Sequence, residues 1–166
     1  MPIVGSITTS GSLIMAAALA LTLTACGGPH VGPLAPPPYR SEIPAHYDRT
    51  WAALIRALAR ENLPLRAVAR DSGVISSDDT VTPIGLWADC GTIGDDRLEG
   101  EALVSFTLFV EPSGSNTRVQ INSKMRTQAY RKGSSGSLKP QPVYPCASTG
   151  RFEANLIETV RGLVKE

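Results

Sequence analysis

Polar and apolar residues are distributed along this chain in three ways, and each predicts a different kind of element. From Leu13 to Leu23 (LIMAAALALTL) eleven residues form one apolar block with no stripe and no helix cap. From Tyr47 the spacing is helical: Tyr47, Trp51, Leu54, Ile55 and Leu58 fall on one side, Arg49, Arg56, Arg60 and Glu61 mainly on the other. Pro44 suits a first turn, and Asn62-Leu63-Pro64 ends the element. A second helix is predicted after Gly150 and as far as Val164, with Phe152, Leu156, Val160 and Leu163 as its buried stripe and Ile157 and Val164 beside it. Ser148 or Thr149 is placed to cap this helix, and Glu153 sits in its first turn, where a carboxylate suits the helix dipole.

The third pattern has a period of two. Ala102, Val104, Phe106, Leu108 and Val110 alternate with Ser105, Thr107 and Glu111, while Val119, Ile121 and Met125 alternate with Arg118, Gln120, Asn122 and Lys124. Pro112-Ser113-Gly114-Ser115-Asn116 between them reads as a turn. Leu65–Arg70 and Val74–Asp78 read as a further hairpin around Asp71-Ser72-Gly73, where Gly73 supplies the positive φ. Two stretches show no period: Asp79 to Glu101 is expected to be a loop or weak strand, and Thr127 to Pro145 a Gly-, Ser- and Pro-rich loop. The element order predicts an α+β two-layer sandwich, with an antiparallel four-stranded sheet carrying both helices on one face.

Composition changes the picture mainly upstream of residue 44. An eleven-residue apolar block is too short to span a bilayer, which takes about 20 residues, but it fits the apolar region of a signal peptide. It ends in Leu23-Thr24-Ala25-Cys26, which resembles the lipobox of bacterial lipoproteins. The resemblance implies that residues 1–25 are a signal peptide and that Cys26 is lipidated and becomes the first residue, leaving 141 of 166 residues. Several acyl chains, at about 0.8 kcal/mol per buried methylene, anchor stably where one does not. Residues 26–43 would then be a tether: Pro29, Pro33, Pro36, Pro37 and Pro38 favour polyproline II, with a reach of about 50 Å from Gly27 to Ile43. Gly27 stands where an inner-membrane retention signal would place Asp, so by resemblance the protein is expected in the cell envelope, at the outer membrane facing the periplasm. The single domain is expected over residues 44–166, enough for an ordinary core.

The 16 basic and 15 acidic side chains all follow Cys26, for a net charge of +1. That balance argues against nucleic acid as a partner. With Cys26 lipidated, Cys90 and Cys146 remain as an even pair; in an exported protein this predicts a disulfide, two buried thiols being the alternative. Tyr130, Arg131, Lys132, Lys139 and Tyr144 make the second long loop basic and aromatic, a candidate surface for an envelope partner or anionic headgroups, against the plainer reading of a solvated connection. The carboxylates from Asp78 to Glu101 match no EF-hand spacing and read as a solvated acidic face.

Catalytic chemistry is poorly provided for. His46 is the only histidine after residue 43, and Ser148 lies in no G-x-S-x-G elbow. The sequence offers no metal-ligand set, no phosphate-binding glycine loop and no acidic residue in an apolar context, so neither an enzyme nor a cofactor is expected. Two short motifs remain, Tyr47-Asp48-Arg49-Thr50-Trp51 and Asp71-Ser72-Gly73-Val74-Ile75. Together they resemble the helix-grip domains of outer-membrane assembly lipoproteins of the BamC type. The resemblance covers about 30 residues and implies a non-catalytic envelope scaffold or assembly accessory, anchored by its lipid. The alternative is a periplasmic small-ligand binder, which predicts a pocket between sheet and long helix lined by Phe106, Leu108 or Phe152.

Overall fold

The computed structural model describes residues 29–30, 38–93, 95–128, 130–132 and 136–166. Its frame is one long hairpin, β9 (Glu101–Ser113) and β10 (Asn116–Thr127), turned at Gly114-Ser115. Their ladder is unbroken from Asn116 opposite Ser113 to Thr127 opposite Ala102. Alternation explains why: Ala102, Val104, Phe106, Leu108 and Val110 are buried on one face, as are Val119, Ile121 and Met125, so a slip of one residue would expose the whole set.

Two sets of strands flank this hairpin, one at each end. Near the turn the order is β3 (Leu65–Ala69), β4 (Val74–Ser77), β9, β10, β2 (Tyr39–Ile43). Toward the open end it is β5 (Thr80–Pro83), β9, β10, β13 (Pro145–Ser148), β6 (Ala88–Asp89). All these pairs are antiparallel. The sheet therefore has eight strands and not the four expected. Two small sheets lie apart from it: β1 (Pro29–His30) with β7 (Thr92–Ile93) and β8 (Asp96–Arg97), and a ribbon of β11 (Tyr130–Lys132) with β12 (Leu138–Pro140).

Asp79 to Glu101, expected as a loop or weak strand, holds the short strands β5 to β8. The loop expected over Thr127 to Pro145 is corrected to include β11 and β12, and the tether to include β1 and β2. In β2, Tyr39, Ser41 and Ile43 point inward, and all five residues pair with β10 from Ile121 to Thr117. The prolines just before it hide an alternation that YRSEI does carry. Strands of two to four residues, such as β5 to β8, are too short for any period to be read.

Helices α1 (Tyr47–Arg60) and α2 (Arg151–Leu163) pack on the same face of the sheet and on each other. Pro44 lies before α1 instead of in its first turn, and His46 is the N-cap residue. Asp48 in the first turn and Arg60 in the last oppose the helix dipole. The end is a Schellman motif: Leu63 N–H donates to the Leu58 carbonyl at 3.2 Å and Asn62 N–H to that of Ala59 at 3.1 Å. Asn62 takes the left-handed φ of 50° that the motif requires.

The two motifs behind the family resemblance meet in space. The Tyr47 hydroxyl donates to the Arg70 carbonyl, and the Arg70 guanidinium reaches Asp48 at 2.7 Å. Burial raises the Tyr47 phenol above its ordinary value, with Arg70 pulling it back. Gly73 has φ 67°, and a Cβ there would lie 2.1 Å from the Val110 carbonyl oxygen. Val110 N–H in turn donates to the Gly73 carbonyl at 2.8 Å. Both motifs therefore build one structural corner, where the start of α1 is clamped onto the β3–β4 turn.

Two apolar clusters fill the interior. The larger joins α1 and α2 to the turn end of the hairpin through residues such as Leu54, Leu58, Leu108, Ile121, Ile157 and Val160. The smaller, at the open end, holds Ala88, Cys90, Ala102, Val104, Met125 and Cys146. Trp87 packs against both, its ring tilted against that of Phe152 at 5.1 Å, which is itself 5.1 Å from Phe106.

Candidate functional site

Phe106, Leu108 and Phe152, expected to line a pocket under the long helix, are instead packed core, each at most 4% exposed. The candidate site lies on the opposite face of the sheet and begins with an irregularity in β4. That strand faces β9 with Ser76 opposite Thr107, and β5 resumes on the same strand with Thr80 opposite Val104. Three residues, Ser77, Asp78 and Asp79, therefore oppose two, Ser105 and Phe106, which makes a β-bulge. The bulge frees the Phe106 N–H from the ladder, and the buried Ser77 hydroxyl accepts it at 2.8 Å.

Beside the bulge, away from the helices, opens a cavity of about 330 Å³. Ser76 of β4, Thr107 and Ser105 of β9, and Asn122 and Lys124 of β10 form its floor and wall. Thr107 stands opposite both Ser76 and Asn122, and Ser105 opposite Lys124, so hydroxyls, amide and ammonium fall in two adjacent cross-strand rows. Arg66 and Arg126 complete the rim, each matched by an aspartate at 2.7 Å, Asp78 and Asp79 respectively. Among the described residues Lys124 has no such partner.

The side chain of Asn122 is oriented by a relay. Arg40 Nε donates to Gln120 Oε1 at 2.9 Å, and Gln120 Nε2 donates to Asn122 Oδ1 at 3.1 Å. Among the described residues the Asn122 amide nitrogen has no acceptor. The site can therefore donate and accept hydrogen bonds and offer one uncompensated positive charge.

No protein-family model and no curated protein matches this chain.

The residues singled out in the sequence fall in several places. Cys26 and the apolar block lie outside the described residues. No helix among the described residues is long and apolar enough to cross a membrane. Cys90 and Cys146 are joined by a disulfide of 2.03 Å, within the smaller cluster. Tyr130, Arg131, Lys132 and Lys139 lie on the β11–β12 ribbon, whose register sets Arg131 opposite Lys139 and Tyr130 opposite Pro140. Tyr144 closes the root of that ribbon: its carbonyl accepts from Thr127 N–H and its own N–H donates to Thr127 Oγ1, both at 2.9 Å. Tyr144 does not line the cavity.

The acidic stretch is partly matched by cations and amides. Asp78 and Asp79 meet Arg66 and Arg126, Asp89 accepts from Gly91 N–H at 3.0 Å, and Glu101 accepts from Gln128 at 3.2 Å. The cap of α2 also differs from expectation. Gly150, with φ 78°, is its N-cap residue; Ser148 accepts from Gly150 N–H at 3.0 Å and donates to Glu153. Glu153 itself is only 3% exposed and takes a second hydroxyl, that of Ser123, at 2.6 Å. An acidic residue does therefore sit in an apolar context. Its spacing to Ile157 and Val160 places it on the buried stripe, a signal present in the sequence.

Proposed function

We propose that this protein is a lipid-anchored envelope lipoprotein, a non-catalytic scaffold or assembly accessory held at the outer membrane with its helix-grip-like domain in the periplasm. The observation that carries this reading is the cysteine pattern. Cys90 and Cys146 are consumed by one bond, so Cys26, which closes the apolar block, is the cysteine left over. A disulfide buried in a core also suits an oxidising compartment. The tether then runs into β2, an edge strand of the sheet, without an intervening domain. The test is incorporation of labelled palmitate by wild type and Cys26→Ser in envelope-bearing cells. The reading expects label and membrane fractionation in the wild type alone. Equal labelling of both would overturn it.

A second reading, a periplasmic small-ligand binder, is favoured by the cavity over the bulge. Its lining is polar and only partly self-satisfied, whereas a face that merely meets water needs no oriented amide relay.

A further inference from the structure

The outer face of the sheet carries three successive cross-strand rows on β9 and β10. The first pairs Ser105 with Lys124, the second Thr107 with Asn122, and the third Phe109 with Gln120. Rows two residues apart are separated by about 6.6 Å, so Lys124 and Phe109 stand about 13 Å apart along the strands. Phe109 is 40% exposed, on the face turned away from both helices. An aromatic ring in that position leaves a large part of its apolar surface in water, surface that a ligand could still cover. Between it and Lys124 lie three hydroxyls, of Ser76, Ser105 and Thr107, and the Asn122 amide nitrogen, none of which bonds another group among the described residues.

We infer that this face binds an acidic oligosaccharide, with the anionic group at Lys124 and a neighbouring ring against Phe109. Three features of the surface match that chemistry. Sugar hydroxyls both donate and accept, as the Ser76, Ser105 and Thr107 hydroxyls do, and the Asn122 amide adds a fixed donor. The apolar C–H face of a pyranose suits an aromatic side chain. Of the cations lining the cavity, Lys124 is uncompensated while Arg66 and Arg126 are held by Asp78 and Asp79, so the cavity end of the site asks for about one negative charge. The span from Lys124 to Phe109 suits two linked rings, and a bare anion would leave the Phe109 end unused. The inference deepens the ligand-binding reading of the cavity and is independent of the anchor.

The experiment titrates the full chain in detergent micelles with three probes by isothermal calorimetry. These are a hyaluronan tetrasaccharide (carboxylated), chitotetraose (neutral) and inorganic phosphate. The tetrasaccharide is expected to bind saturably and the other two at least about tenfold more weakly. Lys124→Gln should weaken the tetrasaccharide by about tenfold, bringing it near chitotetraose. Phe109→Ala should weaken both glycans several-fold and leave phosphate unchanged. Thr107→Val, a shape-conserving change on a strand, should weaken both glycans as well. Amide hydrogen exchange on each variant confirms an intact β9–β10 ladder. A phosphorylated sugar, glucose 6-phosphate, distinguishes phosphate from carboxylate as the preferred anion. Phosphate binding as tightly as the tetrasaccharide, chitotetraose binding equally well, or an affinity indifferent to Lys124→Gln would each overturn the inference. So would the absence of saturable binding at millimolar glycan. Palmitate labelling at Cys26 reads out separately, so failure of the glycan site and failure of the anchor cannot be confused.

Discussion

At the scale of single residues, Glu153 shows how one buried polar group can join three elements. Ser148, at the end of β13, donates to both its oxygens at 2.8 and 2.9 Å, and Ser123 donates from β10. Ser123 lies where β10 has no strand partner on that edge, between the last residue paired with β2, Ile121, and the first paired with β13, Met125. The start of α2 therefore fills the gap between β2 and β13, and the carboxylate fastens it there. Hydrogen bonds to a charged group contribute about 1.5–3 kcal/mol each when buried, and orphaned hydroxyls add a penalty. Glu153→Ala is accordingly expected to cost about 2–4 kcal/mol, and Glu153→Gln, which keeps one acceptor oxygen, about half as much. Urea unfolding monitored by tryptophan fluorescence measures both. Equal, sub-kilocalorie losses would mean that the two hydroxyls find other acceptors.

At the scale of elements, legibility followed the length of the repeat. The period of two over Ala102–Val110 and the helical stripes at Trp51–Leu58 and Phe152–Leu163 were sufficient, because each buries a full face and tolerates no slip. The β3–β4 turn was legible through Gly73, whose φ and lack of space leave no substitute. What could not be read is decided by partners distant in sequence. Thr80 and Thr82 turn toward the interior in β5 only because β9 is beside them, and two-residue strands such as β6 owe their existence to β13. The outer-face cavity was illegible for the same reason: a bulge of Ser77, Asp78 and Asp79 brings it into being, and Asn122, Lys124 and Thr107 look like ordinary solvated strand positions until the bulge sits beside them.

The disulfide belongs to this scale too, since it ties β13 to the residue after β6 across 56 positions. Closing a loop of that length restrains the unfolded chain by about 4 kcal/mol in the chain-entropy model. The double variant Cys90→Ala/Cys146→Ala should lose about 2–4 kcal/mol by urea unfolding. Because the bridge lies in the smaller cluster, hydrogen exchange should rise in β6 and β13 before α1 and β4. A uniform rise across the molecule would mean that the two clusters open as one.

At the scale of the whole molecule, direction matters. β2 runs from Tyr39 opposite Ile121 toward Ile43 opposite Thr117, so the chain enters the sheet from the side of the open end of the hairpin. The β11–β12 ribbon leaves β10 at Thr127 and returns at Tyr144, at that same end. The start of β2 thus faces the pole where the ribbon is rooted, while the helices and the β3–β4 corner build the other part of the body. A net charge of +1 gives little long-range steering, so recognition at this pole would depend on local contact. The ribbon is also thermodynamically separable, because the Thr127–Tyr144 hydrogen bonds close its root before it begins. Replacing residues 129–142 with Asn-Gly, a pair that suits a two-residue hairpin turn, should preserve that root and the disulfide beyond it. We expect the melting temperature to change by no more than about 3 °C, a stability effect of at most about 1 kcal/mol for a domain of this size. Envelope crosslinks formed by the full chain should weaken or vanish, since Arg131, Lys132 and Lys139 are removed together. Crosslinking in intact cells, followed by mass spectrometry of both forms, decides the matter. Identical crosslink patterns from an equally stable variant would assign recognition to the sheet face instead of the ribbon.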